Sequence, residues 1–209
     1  MWGKPFPLIL SGPSGAGKTT VARALVERLP GCWLSISATT REPRDSERHE
    51  VDYHFISPAR FEEWRRAGNF IEWAVVHDHE YGTPRAPVEE RLAGGWLPLL
   101  AIDVQGGLRL KADYPDSVLI FLLPPDLKTL EERLHRRASD SEEVIQRRLR
   151  NALAEMERLW QYDYLVVNGE VDAAVDDIIV IARSEARRVS RLARIPEWDD
   201  LLRRHSRLL

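Results

Sequence analysis

The sequence predicts an α/β protein built on a doubly wound parallel sheet, and three observations carry that expectation. Residues 97–102, 118–123 and 164–167 are apolar without polar alternation, as expected of parallel strands covered by helices on both faces. Residues 8–11 form a similar run, which passes through a glycine-rich stretch into a helical pattern over 18–29, where Val21, Leu25 and Leu29 recur at i, i+4 and i+8. Strand-like and helix-like segments then alternate along a chain of 209 residues, the size of one generous domain of this class.

Taken in order, Pro30 and Gly31 stop the first helix. Residues 37–87 are polar, aromatic and turn-rich, with strand candidates at 53–57 and 72–76 flanking a short helix near 59–67, so this stretch reads as an inserted lobe. Residues 127–160 are helical and basic, with Arg133, Arg136, Arg137, Arg147, Arg148 and Arg150 grouped around a polar break at Ser139-Asp140-Ser141. Asp140 or Ser141 suits the N-cap of the second of these helices, and Ile145, Leu149, Ala152, Met156 and Leu159 give it an apolar face. A last long helix starts near Asp172 with Val175, Ile178, Ala182 and Val189 on its apolar side, and an amphipathic tail follows with Trp198, Leu201 and Leu202. The expected division is a core of 1–36, 88–126 and 156–209, a lobe of 37–87 and a lid of 127–155.

Composition narrows the function classes. Thirty Lys plus Arg against 33 Asp plus Glu leave a formal charge of −3, which argues against a general nucleic-acid footprint, and 44% hydrophobic residues argue against disorder. A single cysteine, Cys32, cannot form an internal disulfide, so a cytoplasmic protein is expected. The apolar start is too short for a signal peptide, and no run approaches the ~20 residues of a membrane span. Whether the protein is a monomer or a homo-oligomer stays open.

The chemistry begins at Gly12-Pro13-Ser14-Gly15-Ala16-Gly17-Lys18-Thr19, which fits GxxxxGK[ST] between an expected strand and an expected helix. Such a P-loop aims backbone N–H groups at a phosphate, adds the positive helix end and the Lys18 charge, and offers the Thr19 hydroxyl to Mg²⁺, with Thr20 beside it. It implies a nucleoside triphosphate and leaves the acceptor open. Asp103-Val104-Gln105-Gly106 fits the DxxG of GTPases, but none of Asn69, Asn151 and Asn168 is followed by the Lys of the guanine-selecting NKxD element.

The lobe and the lid add a wider pattern. Ser37-Ala38-Thr39-Thr40-Arg41-Glu42-Pro43-Arg44, then Tyr53, Phe70-Ile71-Glu72-Trp73-Ala74 and Tyr81-Gly82, together with the P-loop, the IDxQG at 102–106, the SEEV at 141–144 and the YDYLVVN at 162–168, resemble guanylate kinase. That resemblance covers nearly the whole chain and implies transfer of the γ-phosphoryl group of Mg-ATP to GMP, and to dGMP, on a P-loop core with a GMP-binding lobe and a helical lid. By the same resemblance Arg41, Arg44, Tyr53 and Tyr81 hold the GMP phosphate, and Ser37, Glu72 and Asp103 read the guanine. Lys18, Arg137 and Arg148 serve catalysis, Asn168 lies near the adenine, and Asp103 reaches the metal's water shell. Two rivals stay open: a family-like binding module without catalysis, and a kinase for another phosphorylated acceptor.

Physical chemistry supports the guanine assignment on its own terms. Guanine presents N1–H and N2–H₂ as adjacent donors, which an ionised carboxylate such as Glu72 accepts together, whereas adenine presents a bare acceptor there. Paired arginines supply forked donors for a phosphate. A phosphate oxygen is already largely deprotonated near neutrality, so no general base is needed and the lobe and lid are expected to close over the substrates. Trp73 is read as a packing aromatic, His77-Asp78-His79-Glu80 as a solvated loop rather than a metal site, and Arg133 and Arg150 as surface charges. Family members commonly have Asp at the Ala101 position and glycines at the Arg136 and Ala138 positions.

Overall fold

A computed structural model describes residues 4–45, 47–76, 78–135 and 142–192. The lid break, Arg136, Arg137, Ala138, His77 and the tail from residue 193 lie outside the described residues.

In chain order the elements are β1 (Leu8–Ser11), α1 (Lys18–Arg28), β2 (Cys32–Leu34), β3 (Ala38–Thr39), β4 (His54–Phe55), α2 (Pro58–Arg66), β5 (Phe70–Val76), β6 (His79–Pro84) and α3 (Arg85–Ala93). There follow β7 (Leu97–Ala101), α4 (Val104–Asp113), β8 (Val118–Leu123), α5 (Leu127–His135), α6 (Glu142–Met156), a 3-10 helix (Glu157–Gln161), β9 (Tyr164–Val167), α7 (Val171–Glu185) and α8 (Val189–Leu192).

Five parallel strands form the main sheet in the order β2-β7-β1-β8-β9. Alternation along β1 divides the core: Leu8 and Leu10 pack with Val21, Leu25, Val175 and Ile178 of α1 and α7, while Ile9 packs with Val88 and Leu110 of α3 and α4. Helices cover both faces of β1, β7 and β8, which is why these strands stand out in the sequence, whereas the edge strand β9 is open on one face, with Leu165 47% and Val167 49% exposed. The crossover from β1 leads through α1 to β2 on one side and that from β7 leads through α4 to β8 on the other, so the crevice beyond the carboxyl ends of β1 and β7 is the topological switch point where ligands bind in such sheets.

A second sheet, in the order β4-β3-β6-β5, is built wholly from residues 38–84. Its own small core joins Ala38, Phe61 and Phe70, with Trp64 and Trp73 packed against it, while Ile71 on β5 belongs to the α3/α4 core. Thus β5 is shared between the two cores and holds the sheets against each other. Trp73 lies between two guanidinium groups, Arg65 at 4.7 Å and Arg109 at 5.9 Å from its ring centre, a packing position.

Three expectations change. His79 and Glu80 are half-buried in strand β6, paired with Val76 and Val75, instead of in a solvated loop. The last helix ends at Glu185, and Val189 is 77% exposed in the separate α8. There Arg191, rather than Val189, reaches the core: its guanidinium lies 3.9 Å from the Phe6 ring centre and pairs with Glu185. Arg133 is not a surface charge: its guanidinium donates to the carbonyls of Ala16 and Asn168.

Candidate functional site

The P-loop follows β1 at the switch point. Gly17 caps α1 with φ 95° and offers no side chain to the first-turn N–H groups, so those donors are left to the loop's concave side. A Cβ on Gly17 would lie 2.4 Å from Asn168 Nδ2, and the positive φ disfavours any side chain there as well. Lys18 Nζ folds back on the loop, donating to Gly12 O at 2.5 Å and Pro13 O at 3.1 Å. Thr19 and Thr20 are exposed on the first turn of α1.

One wall beside this loop is built from β9 and α5. Asn168 is 2% exposed; its Nδ2 donates to Ala16 O at 2.7 Å, while its Oδ1 is buried without a hydrogen bond. Arg133 donates to Asn168 O at 3.1 Å and to Ala16 O at 3.4 Å. Arginine placed between a helix and two inward-facing carbonyls is a structural tie between α5 and the P-loop, which corrects its reading as a surface charge. From α6, Glu155 accepts the Ser14 N–H and lies near Lys18; burial holds its carboxyl above the ordinary value, opposed by Lys18. Arg148 is half-buried on the same helix, and Arg147 and Arg150 are exposed.

Across the crevice, Asp103 caps α4: its Oδ1 accepts the Gln105 N–H at 2.8 Å and the Gly106 N–H at 3.1 Å. Glu72, 6% exposed on β5, faces it. Both carboxylates converge on Gly106, where a Cβ would lie 2.5 Å from Glu72 Oε2 and 3.3 Å from Asp103 Oδ2. Thr83 is directly opposite Glu72 in the β5/β6 register, and its hydroxyl donates to Glu72 Oε1 at 2.6 Å. Burial pushes the Glu72 carboxyl up from 4.5 to about 7; Thr83 opposes the shift and the Asp103 charge adds to it. A buried carboxylate with Oε1 partnered by Thr83 and Oε2 beside Gly106 keeps lone pairs that can accept hydrogen bonds from a ligand.

A third group lies on the other half of the lobe. Arg41 Nε donates to the Tyr81 hydroxyl at 3.2 Å, its guanidinium carbon is 5.7 Å from the Tyr53 ring centre, and the Tyr53 and Tyr81 rings meet edge to face at 5.9 Å. Arg44 joins them through Glu47, which accepts from both arginines. Burial raises the Tyr53 hydroxyl above its ordinary value, so it remains a donor. The Ser37 hydroxyl makes no hydrogen bond among the described residues; its carbonyl accepts the His54 N–H at 2.9 Å.

The structure therefore assembles Arg41, Arg44, Tyr53 and Tyr81 in one cluster, Glu72 and Asp103 in a second, and Lys18 with Asn168 at a third. Thr83, Glu47 and Glu155 escaped the sequence reading, which met Gly106 only as the last position of the DxxG pattern. Recognising β6 as the antiparallel partner of β5 was the signal that could have found Thr83. His49, Glu50 and His54 lie close enough to share a cation, but His49 Nδ1 accepts the Phe55 N–H at 3.1 Å, which places the proton of a neutral ring on the Nε2 a metal would need. Cys32 is buried in β2 with its thiol pushed up to about 12, an inert position.

A family model described as guanylate kinase matches residues 4–185. The chain belongs to the guanylate kinase family. It is 50% identical over 194 residues to a guanylate kinase from Anaeromyxobacter dehalogenans, covering 92% of this chain and 84% of the relative. A guanylate kinase from Myxococcus xanthus is 45% identical over 186 residues, covering 88% and 89%. The crystal structure of guanylate kinase from Anaplasma phagocytophilum superposes with a TM-score of 0.78 at 32% identity over 91% of this chain and 90% of that one. As a guanylate kinase family member, the chain is expected to have two nucleotide sites, which the P-loop and the lobe clusters suit. No helix among the described residues is long and apolar enough to cross a membrane.

Proposed function

We propose that the protein transfers the γ-phosphoryl group of ATP to GMP, and to dGMP, with residues 37–87 binding the acceptor and 127–155 acting as the lid. The observation that carries this reading is Glu72: a buried, acceptor-only carboxylate oriented by Thr83, in the same lobe as the Arg41/Tyr81 cluster. Guanine's N1–H and N2–H₂ would engage Glu72, with Asp103 alongside and the Ser37 hydroxyl available to O6, while Arg41, Arg44, Tyr53 and Tyr81 would hold the phosphate.

On the donor side the P-loop from Gly12 to Thr19, with Thr20, would cradle the ATP phosphates. Asn168 Oδ1, a buried acceptor without a partner, suits the 6-amino donor of adenine and would repel guanine O6 in the same place, which favours ATP. For Mg²⁺ the donor set fits: the Thr19 hydroxyl and Asp103 are hard oxygen ligands, and Asp103 Oδ2 makes no hydrogen bond among the described residues. Thr19 would hold the ion directly and Asp103 through water, and Mg²⁺ supplies charge neutralisation between the ATP phosphates.

In the reaction, an oxygen of the GMP phosphate attacks the γ-phosphorus and ADP leaves in line. The acceptor oxygen needs no base, so the chain's work is placement and charge. Lys18 exchanges the Gly12 and Pro13 carbonyls for phosphate oxygens, and Arg148 and Arg137 bring positive charge from the lid. A coupled assay of ADP release with GMP, dGMP, AMP, CMP and UMP tests the reading: turnover with GMP and dGMP supports it, and preference for any other acceptor overturns it.

A further inference from the structure

Arg41 is held by the chain on three sides. Nε donates to Tyr81, Nη1 donates to Glu42 O at 2.6 Å, and Nη2 donates to both oxygens of Glu47, at 2.9 and 2.8 Å. Glu47 is in turn fixed by the Arg44 main chain, whose N–H donates to Oε2 at 2.9 Å. The Arg41 and Glu47 side chains are only 13% and 14% exposed. By contrast the Arg44 side chain is 52% exposed and reaches Glu47 only at 3.4 Å.

We propose that Glu47 is a positioning residue of the acceptor-phosphate clamp, holding the Arg41 side chain and the Arg44 main chain so that Arg41 is aimed before GMP arrives and Arg44 reaches the phosphate from a fixed backbone. The proposal rests on reading the lobe as the GMP site. Glu47 is not a stand-in for phosphate that the substrate must expel. Its bond to a main-chain N–H three residues away is local, costs little loop entropy, and does not depend on the arginine side chains that a phosphate would engage. Burial pushes its carboxyl up, but the Arg44 N–H and the Arg41 guanidinium outweigh burial and hold it below the ordinary value, so it stays charged at neutral pH. With Arg41 rigid, most of the uncommitted forked donors belong to the more exposed Arg44. The substrate then orders one long side chain on binding instead of two.

Binding of GMP and of guanosine to the full chain, measured by titration calorimetry, separates positioning from folding, because guanosine lacks the phosphate. Glu47→Gln keeps the shape and weakens the hold on Arg41; the expected result is at least a tenfold loss of GMP affinity with guanosine affinity within twofold of the parent. Glu47→Asp, charged but one methylene shorter, is expected to lose GMP affinity to a smaller degree with guanosine again unchanged. Unchanged or tighter GMP binding in Glu47→Gln overturns the proposal, as does an equal loss for both ligands, which would mark a structural role. A parent protein that binds GMP no better than guanosine would sink the acceptor assignment itself, a failure distinct from the other two.

Discussion

Replacing Glu72 by Gln is expected to make the free protein more stable and the enzyme worse. With its carboxyl raised from 4.5 to about 7 in the fold, chiefly by burial, Glu72 binds a proton more tightly when folded than when unfolded. Between those two values stability therefore falls as pH rises, and above about 7 the whole penalty is present. At ~1.4 kcal/mol per tenfold change in the protonation equilibrium, it amounts to about 3 kcal/mol. A neutral amide escapes this cost, less roughly 1 kcal/mol for an amide hydrogen without a good partner beside Thr83. The net gain of about 2 kcal/mol corresponds to a rise of roughly 4–8 °C in the melting midpoint of a chain this size at pH 8. At pH 4.5 the gain should vanish. The same change presents an NH₂ to a guanine donor, so kcat/KM for GMP should fall roughly 100-fold, about 3 kcal/mol, while the KM for ATP holds. Melting curves at the two pH values and initial rates at pH 8 suffice as assays. A variant that melts no higher than the parent at pH 8 and keeps its kcat/KM for GMP would refute the reasoning.

Three other outcomes follow from the same geometry. Guanosine, which carries no titrating phosphate, should bind the parent about tenfold more weakly for each pH unit below 7, since it needs Glu72 charged; calorimetry on Glu72→Gln should give a flat profile. Gly106→Ala places a Cβ 2.5 Å from Glu72 Oε2, so the carboxylate must move. In steady-state kinetics the KM for GMP should rise about tenfold or more, at ~1.4 kcal/mol per decade, with the KM for ATP within about twofold. Lys18→Ala removes the ammonium charge held at the Gly12 and Pro13 carbonyls, and on the proposed reading kcat should drop roughly 100-fold or more, while GMP affinity measured without ATP remains that of the parent.

Strands buried on both faces were legible because every residue of β1, and every residue of β8 but Leu123, is buried, and the P-loop was legible because phosphate binding constrains glycines, a lysine and a hydroxyl at fixed spacing. Strand β6 was not, because His79, Glu80 and Tyr81 are half-buried and polar in a sheet that faces a crevice, so the usual alternation is missing. Helix α4 was missed for a related reason: Gly106 and Gly107 lower its intrinsic helical propensity, and close approach by Glu72, Ser11 and Tyr162 explains why glycine is there. Arg133 looked like any other arginine of a basic helix until the P-loop carbonyls appeared beside it.

By itself, then, the chain determined its class, its triphosphate loop and the residue types that suit a guanine and a phosphate, since these depend on local pattern and on the donor and acceptor chemistry of single side chains. Which groups act together was decided only by tertiary structure. The charge on Glu72, the hydroxyl of Thr83 across the strand pair and the space left by Gly106 all arise where segments distant in sequence, or opposed across a sheet, exclude water from one another. Desolvation and hydrogen-bond geometry are properties of that packing, and no spacing rule along the chain encodes them.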